Sequence, residues 1–408
     1  MHFIFKKLLL TLSLLVMITA CGSQSRPDDI SDIPKDSSNS GVTTFAEDEK
    51  DFLYNLFLTE YYWNDFTPNP FDYSNYTDPQ TMINVLKYPA KDRWSFVLTQ
   101  QEYNDFASQS TAGFGFQITY DNSGYMVIYI VDIDSPADQV GFLRGDKIIK
   151  INGEPATVFG IQEAYAAINQ TTSFLINRDG KEIELNIASQ IYNFKVTKAK
   201  SLTTEDGQKV GYLRFDSFTD NATDEIEQAF TYLQSLNINK LVIDLRYNGG
   251  GYINTASILL DKLVRDKDDQ IQFTLKWNDG YSGNNESGKF ETDSNSLALK
   301  QIVFLTTQDS ASASELVINS LMPERYGVDV VLVGKQTHGK PVGMQGRSYG
   351  DHIYFLINFV TENVDGFSDY FDGIPVDCTV ADDLSHQLGD PQEAMLKKAL
   401  YYIDNGSC

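Results

Sequence analysis

A short segment of alternating serine and alanine residues is the clearest candidate for a reactive site in this sequence. Ser310, Ser312 and Ser314 lie in it, soon after the apolar run 302–305, and Glu315 follows at its end. A serine at the turn from a strand into a helix exposes its hydroxyl, and the helix N-terminus offers unpaired N–H groups to a developing oxyanion. Alone, such a segment equally fits a plain helix cap, so the chemistry requires a base elsewhere in the chain.

A candidate base follows after one more predicted helix and strand. The run 334–340 reads Gly-Lys-Gln-Thr-His-Gly-Lys and places Lys340 in a glycine-flanked turn. A lysine with an unperturbed pKa of about 10.4 is a poor base at neutral pH, so burial would have to lower that pKa. His338 offers a Ser-His alternative. The sequence has no HExxH motif, cysteine cluster or phosphate-binding glycine loop, so we expect no metal and no other cofactor.

The segments around these residues predict a layered α/β core. Beyond about residue 200, short apolar runs alternate with amphipathic stretches of helical period. The predicted strands are 210–215, 240–244, 301–306 and 329–333, and the predicted helices are 222–236, 253–264 and 312–321. Strands interleaved with helices of roughly ten to fifteen residues are typical of α/β folds.

The preceding region, 106–197, has the alternating period of short strands and predicts a β-rich domain. It contains Gly113-Phe114-Gly115-Phe116, and its segment 134–153 resembles the PDZ pattern SPA…G…GD.I..ING. In PDZ domains a peptide C-terminus adds as a strand, and backbone N–H groups of a loop hold its carboxylate. The resemblance implies that Gly113, Phe114, Gly115 and Phe116 form that peptide-binding loop.

The serine segment and the lysine turn together resemble the carboxyl-terminal processing (tail-specific) peptidase family. The matching motifs are SASASE at 310–315 and G..T.GK at 334–340, and the segments 211–214, 244–251 and 370–377 also resemble that family. Its members are serine endopeptidases that place a PDZ domain before a ClpP/crotonase-like layered α/β core. The resemblance therefore implies a multidomain α/β protein that acts on proteins or peptides.

The same resemblance assigns roles to individual residues. Ser312, the middle serine, would be the nucleophile, with its two neighbouring serines as alternatives, and Lys340 would be the general base. The oxyanion would bind the N–H of Ala313 and one N–H from the glycine turn, either that of Gly249 or that of Gly250.

The third catalytic residue departs from the family pattern. Some members orient the lysine with a glutamine four residues later, where this chain has Met344, and Gln345 comes one residue after it. Other members have an aspartate eleven residues after the serine, where this chain has Pro323. We therefore name Gln345 as the candidate, with a dyad that needs no third residue as the alternative.

The first residues have the features of an export signal. Lys6 and Lys7 precede the apolar stretch 8–18, and the sequence Ile-Thr-Ala-Cys that ends at Cys21 resembles the bacterial lipobox. The resemblance implies lipidation of Cys21 after removal of residues 1–20. We expect a lipid-anchored protein of the cell envelope, at the periplasmic or outer-membrane face, that contacts the membrane through the lipid on Cys21.

These patterns divide the chain into five parts. They are the lipoprotein signal peptide 1–20, a flexible tether 21–45, an N-terminal helical region 46–105, the PDZ-like domain 106–197 and the peptidase catalytic domain 198–408. The helical region is rich in aromatic residues, which we interpret as a core rather than a ligand site. The tether is rich in Ser, Asp and Pro and has almost no large apolar residue, which is typical of a flexible linker.

The charge and the cysteine content restrict which binding partners and which cellular compartment we expect for this protein. The 408 residues contain 32 Lys and Arg against 56 Asp and Glu, a net charge of −24. A chain this acidic repels phosphate backbones, so we expect no nucleic-acid partner. Outside the cytoplasm Cys378 and Cys408 can be oxidised, and we expect a disulfide between them, with two unpaired thiols as the alternative because spacing says nothing about Cα geometry.

The sequence thus predicts an exported serine endopeptidase that hydrolyses peptide bonds of extracytoplasmic proteins near their C-termini. The alternative is a catalytically idle lipoprotein that uses its PDZ groove to hold peptides. Intact Ser312 and Lys340 favour the enzyme.

Overall fold

The computed structural model of the protein describes residues 45–107, 110–121 and 123–408. The predicted signal peptide, Cys21 and most of the tether lie outside the described residues. Within the described ranges, no helix combines the length and the apolar character that crossing a bilayer requires.

The first described region is mainly helical and contains one strand. Its elements are α1 (Glu47–Thr59), α2 (Pro79–Leu86), β1 (Phe96–Thr99) and α3 (Gln100–Ala107). The start of α2 follows from its sequence, because the Asp78 carboxylate accepts the N–H of Thr81 at 2.7 Å and Pro79 occupies the first helical position. The apolar faces of α1 and α2 are buried, as the aromatic-rich sequence predicts.

The middle region is a β-rich domain. Its strands are β2 (Ser110–Gly113), β3 (Phe116–Tyr120), β4 (Met126–Val131), β5 (Lys147–Ile151), β6 (Glu154–Pro155), β7 (Thr171–Arg178), β8 (Lys181–Ala188) and β9 (Gln190–Asn193). Two helices, α4 (Pro136–Val140) and α5 (Val158–Ala166), lie between them. The main sheet has the antiparallel order β3-β4-β5-β7-β8, and β2 pairs with β9. Phenylalanines from different strands and turns fill its core.

The C-terminal half alternates strands and helices as predicted. Its strands are β10 (Thr197–Thr203), β11 (Lys209–Phe215), β12 (Lys240–Asp244), β13 (Ile271–Trp277), β14 (Glu286–Lys289), β15 (Gln301–Thr306), β16 (Asp329–Gly334), β17 (Val342–Tyr349), β18 (His352–Glu362) and β19 (Cys378–Thr379). Its helices are α6 (Ala222–Ser235), α7 (Ile253–Leu263), α8 (Ala313–Leu321) and α9 (Ala394–Asn405). The fold is a multidomain α/β protein.

The main sheet of this half has the order β10-β11-β12-β15-β16-β19 and is parallel except for β10. Leu241 and Ile243 point to the face covered by α6, α7 and α8, whereas Val242 points to the face covered by α9. Strands buried on both faces are continuous apolar runs, which is why 240–244 and 301–306 are predicted correctly.

A second sheet covers the other side of the helix layer, and the sequence analysis does not predict it. Its order is β1-β18-β13-β14, with β17 also paired to β18. Strand β1 belongs to the N-terminal region, and its Phe96 pairs with Phe355 of β18. The N-terminal region therefore shares a sheet and a hydrophobic core with the catalytic half, although the sequence analysis treats it as a separate part.

A disulfide bond joins Cys378 to Cys408, with a Cα–Cα distance of 5.5 Å. It links β19, at the edge of the main sheet, to the chain just beyond α9. The bond therefore holds the C-terminal helix to the sheet that this helix covers.

Candidate active site

Three loops meet at one edge of the main sheet, because each follows the C-terminal end of a neighbouring parallel strand. The glycine turn 249–251 follows β12, the serine segment 310–314 follows β15, and the lysine turn 335–340 follows β16. Crevices beyond the carboxyl ends of parallel strands are the usual ligand sites of such sheets. The topology thus brings together three motifs that are far apart in sequence.

Ser312 lies immediately before α8 in an unusual backbone conformation. Its φ is +56° and its ψ is −114°, which is strained for a residue with a Cβ and costs about 1–3 kcal/mol. The structure tolerates this because α8 is buried along its whole length between the two sheets. Strain of this kind at a helix entry presents the side chain of Ser312 in a fixed direction.

The two neighbouring serines have structural roles. The Ser310 hydroxyl donates to the carbonyl oxygen of Leu245 at 2.7 Å, and the Ser314 hydroxyl donates to that of Asn248 at 2.9 Å. Both tie the serine segment to the loop after β12. Of the three serines, only Ser312 lines the cavity at this edge of the sheet.

That cavity brings Ser312 and Lys340 together. Its volume is about 10 Å³, enough for roughly one water molecule. Besides these two residues it is lined by Ile253, Ala313, Leu316, Val342, Gly343 and Thr361. The wall is largely apolar, so it keeps the two polar side chains away from bulk water. Among the residues that the structure describes, no group of His, Cys, Asp and Glu has the arrangement of a metal site.

Lys340 is only 1% exposed, and burial lowers its pKa from 10.5 to about 8. The negative charges of Asp92 and Glu315 act in the opposite direction. An ammonium group in a dry, largely apolar site is costly, so the lysine releases its proton more readily than in water. This is the change that a lysine needs before it can act as a base near neutral pH.

Glu315 connects the serine segment to the lysine turn. Its buried carboxylate accepts the N–H groups of Ser312 at 3.0 Å, Gly339 at 2.6 Å and Lys340 at 2.8 Å, and the hydroxyl of Thr337 at 2.6 Å. Burial raises the pKa of Glu315, and these hydrogen bonds act against that rise. A single side chain thus sets the distance between the two loops.

The sequence analysis did not assign this role, although a signal for it exists. A serine followed three residues later by a glutamate is the pattern of a capping box, in which the glutamate reaches back to the N–H of the capping serine. Ser312 and Glu315 have this spacing, and the bond to the Ser312 N–H is present. Only the contact with the lysine turn depends on tertiary structure.

The glycine turn lies against the backbone of the serine segment. A Cβ on Gly250 would be 2.8 Å from the Cβ of Ser312 and 2.9 Å from the backbone nitrogen of Ala313. The N–H of Gly250 already donates to the Asn248 side chain at 2.9 Å. The N–H of Gly250 is thus engaged, which leaves the N–H of Gly249 as the candidate oxyanion donor of the glycine turn.

Asn248 holds the glycine turn in place. Its carbonyl oxygen accepts the N–H of Ala311 at 3.1 Å, and its side-chain amide donates to the carbonyl oxygen of Phe215 at 2.7 Å. The turn is therefore fixed both to the serine segment and to the end of β11.

A buried ion-pair network also holds the loop after β12 in place. Arg246 is fully buried and forms ion pairs with Asp244 at 2.6 Å and with Glu393 at 2.9 Å. The Tyr212 hydroxyl donates to Asp244 at 2.7 Å. Burial would raise the pKa of Asp244, but the Arg246 charge and the hydrogen bonds hold it below its usual value. The network explains why Asp-Leu-Arg precedes the glycines.

His338 lies beside the lysine turn, but both of its ring nitrogens are engaged. Nε2 receives the Trp94 indole N–H at 3.3 Å, and Nδ1 contacts the carbonyl oxygen of Gln308 at 3.3 Å. Burial lowers the pKa of His338. The histidine does not line the cavity, and this arrangement favours lysine over histidine as the base for Ser312.

Gln345 lies on β17, just after a β-bulge between Gly343 and Met344. Its backbone N–H donates to the Asn358 side chain at 2.6 Å, and the residue is half-buried. Gln345 is not among the residues that line the cavity. The acids whose charges act on Lys340 are Asp92 and Glu315, and the sequence analysis named neither as a site residue.

The predicted peptide-binding loop is in the middle domain, away from the cavity. Phe114 and Phe116 contribute their side chains to that domain's core, and Gly113 and Gly115 are buried. The Tyr165 hydroxyl of α5 donates to the carbonyl oxygen of Phe116 at 2.6 Å. Strand β3, which follows the loop, is at the edge of its sheet.

The middle domain contacts the loop that carries the glycine turn. Arg144 donates to the hydroxyl of Tyr247 at 2.8 Å, and both side chains also bond Asp382. Tyr247 directly precedes Asn248 and has a φ of +63°. The middle domain thus contacts the loop that contains the candidate oxyanion donors.

Comparisons with known proteins agree with this architecture. Residues 209–364 match the model of peptidase family S41, residues 127–178 match a PDZ domain, and residues 48–96 match the peptidase S41 N-terminal domain. The chain resembles a solved putative S41 protease from Bacteroides fragilis with a TM-score of 0.76 and 24% identity, covering 88% of this chain and 98% of that one.

Several curated relatives are named carboxyl-terminal processing proteases. A carboxyl-terminal-processing protease of Synechocystis is 26% identical over 275 residues, which cover 65% of this chain and 61% of the relative. The carboxy-terminal processing protease CtpB of Bacillus subtilis is 26% identical over 258 residues, covering 62% of this chain and 52% of CtpB. The chain thus spans about half to three fifths of the length of these relatives. With a PDZ domain placed before its layered α/β core, the chain belongs to peptidase family S41.

Proposed function

We propose that this protein is an exported serine endopeptidase that cleaves extracytoplasmic proteins near their C-termini with a Ser312–Lys340 dyad. One observation carries the proposal: Ser312, held in a strained helix entry, and Lys340, whose pKa burial lowers to about 8, line the same small cavity. The names of the curated relatives, carboxyl-terminal processing proteases, support cleavage near C-termini. The PDZ domain supports protein or peptide substrates.

The chemistry follows the general scheme of an activated serine. Neutral Lys340 accepts the hydroxyl proton of Ser312 while the serine oxygen attacks the carbonyl carbon of the scissile peptide bond. The oxyanion that forms accepts hydrogen bonds from the N–H groups of Ala313 and Gly249. The Lys340 ammonium then gives its proton to the leaving amine, and the peptide C–N bond breaks. Water hydrolyses the acyl group from Ser312, again with Lys340 as the base.

Labelling by a fluorophosphonate tests this function directly. The probe should phosphonylate the wild-type protein on Ser312 and should leave Ser312→Ala unlabelled, and cleavage of a fluorogenic peptide should follow the same pattern. Because the reactive lysine is neutral, both rates should rise with pH and reach half of their maximum near pH 8, where Lys340 loses its proton.

The outcomes separate the candidate functions. An unlabelled wild-type protein that still binds C-terminal peptides would establish the idle peptide-binding lipoprotein. Labelling with hydrolysis of esters but of no peptide would indicate a different hydrolase on the same core. Labelling of Ser312→Ala at the wild-type rate would show that the nucleophile is another residue.

The lipid anchor is a separate part of the proposal. Removal of the lipid acceptor in Cys21→Ser should move the protein from the membrane fraction to the soluble fraction, because each buried methylene of the lipid contributes about 0.8 kcal/mol to membrane binding. Peptide cleavage by the purified variant should stay unchanged. Sedimentation of Cys21→Ser with membranes in high salt would contradict lipidation as the means of attachment.

A further inference from the structure

A turn of the N-terminal region lies directly against the lysine turn. Arg93 donates to the carbonyl oxygens of Gly339 at 3.4 Å and Phe371 at 2.9 Å, and the Trp94 indole donates to His338. The Ser95 hydroxyl accepts the N–H of Ile357 in β18 at 3.1 Å. Residues 92–95 are thus bonded both to the lysine turn and to the second sheet.

Asp92 occupies the buried corner of this turn and is 2% exposed. One carboxylate oxygen accepts the N–H groups of Trp94 and Ser95, each at 2.9 Å. The other accepts the hydroxyls of Ser95 at 2.6 Å and Tyr61 at 2.8 Å. Every one of these partners donates, which is the surrounding that suits an ionised carboxylate. The turn therefore fixes the Asp92 carboxyl group in the protein interior.

The charged groups around Lys340 are few. The two acids whose charges act on it are Asp92 and Glu315. Of the other charged or titratable groups nearby, His338 lies in the lysine turn and Arg93 lies in the turn 92–95. The buried Tyr370 faces Glu315. Glu315 is bound to the backbone of the two catalytic loops and cannot be removed without disturbing them. Asp92 comes from a different region of the chain.

We infer that Asp92 is a positioning residue of the peptidase reaction: from the N-terminal region, its carboxylate stabilises the Lys340 ammonium that forms when the lysine takes the Ser312 proton. The inference rests on the proposed Ser-Lys mechanism. It gives the N-terminal region a part in the chemistry in addition to its part in the core. The cavity that Lys340 lines is largely apolar, where an ammonium is costly, and a nearby carboxylate lowers that cost.

The neutral variant Asp92→Asn tests this role. The asparagine carbonyl oxygen can still accept the N–H groups of Trp94 and Ser95, so the turn keeps its backbone bonds. The measurement is the fluorophosphonate labelling rate of Ser312 between pH 5 and pH 10, with kcat/KM for a peptide over the same range. We expect the rising limb of the pH–rate profile to move toward lower pH by roughly one pH unit, because a lysine without its counter-charge loses its proton more easily.

The rate at high pH should change in the opposite sense. The weaker base takes the serine proton less effectively, so the plateau should fall by roughly threefold to tenfold. At about pH 6.5 the variant should equal or exceed the wild-type rate. A residue that only supports the fold would lower the rate at every pH and leave the limb in place.

Tyr61→Phe is the matched control. It removes one hydrogen bond to Asp92 at the same buried location but keeps the carboxylate charge, so its limb should stay at the wild-type pH. Asp92→Ser serves as a second neutral variant, since a serine hydroxyl can also accept the backbone N–H groups of the turn. Circular dichroism establishes which variants are folded.

A folded neutral variant whose limb stays at the wild-type pH would overturn the inference, and so would a shift of equal size in Tyr61→Phe. Failure of the underlying mechanism gives a different result. In that case Lys340→Ala would still be labelled on Ser312, or the wild-type protein would show no rising limb at all. The two failures are therefore distinguishable in one set of measurements.

Discussion

Lys340→Arg should lower kcat/KM for peptide cleavage by roughly 10³-fold or more, because a guanidinium keeps its proton and cannot act as a base. Arginine retains the positive charge, so the loss cannot come from charge alone. Lys340→Ala should be equally inactive. The measurement is cleavage of a fluorogenic peptide by each purified variant, with circular dichroism to establish that the variant is folded.

His338→Ala is the matched control for this loss. The histidine is two residues away, and its ring nitrogens contact Trp94 and Gln308 rather than the cavity. We expect a change of less than about tenfold, through the packing of the lysine turn. An inactive His338→Ala together with an active Lys340→Arg would replace the Ser-Lys mechanism by a Ser-His one.

The second large effect concerns the glycine turn. Gly250 has a φ of +105°, and a Cβ there would be 2.8 Å from the carbonyl oxygen of Ala311 and 2.9 Å from the nitrogen of Ala313. Both contacts are with backbone, so Gly250→Ala must move the loop that faces the serine. Loss of one oxyanion donor typically lowers kcat by about 10²–10³-fold. We expect a loss of this size, with the free energy of unfolding reduced by about 1–3 kcal/mol.

Gly283→Ala provides the control for the general effect of adding a methyl group to a glycine. That glycine lies outside the positive-φ region and a Cβ there meets no atom within 4 Å, so kcat should not change. The measurements are kcat at saturating peptide and thermal unfolding of both variants. A Gly250→Ala protein with wild-type kcat would show that the glycine turn does not shape the oxyanion site.

Much of this protein follows from its sequence alone. The strands 240–244 and 301–306 are predicted because parallel strands buried on both faces are continuous apolar runs. The start of α2 follows from Asp78-Pro79, since the signal and its structural effect are within one helical turn. Motif resemblance indicates the family and the PDZ domain for the same reason, because each motif is short and continuous in the chain. It also predicts the Ser312–Lys340 pair.

The second sheet could not be predicted from local sequence patterns and depends on tertiary structure. Its strand β1 pairs with β18 through Phe96 and Phe355, residues far apart in the chain, and no local pattern specifies such a pairing. The choice between Gly249 and Gly250 as candidate oxyanion donor rests instead on a local contact, the hydrogen bond from the Gly250 N–H to the Asn248 side chain.

The environment of Lys340 also needed the folded chain. The sequence requires that its pKa be lowered if it is the base, but burial by the second sheet and the charges of Asp92 and Glu315 set the value. Asp92 and Glu315 are both distant from Lys340 in the sequence. Residue type and spacing determined which groups can react, whereas desolvation and Coulomb interactions, which depend on distances in space, decided how they are tuned.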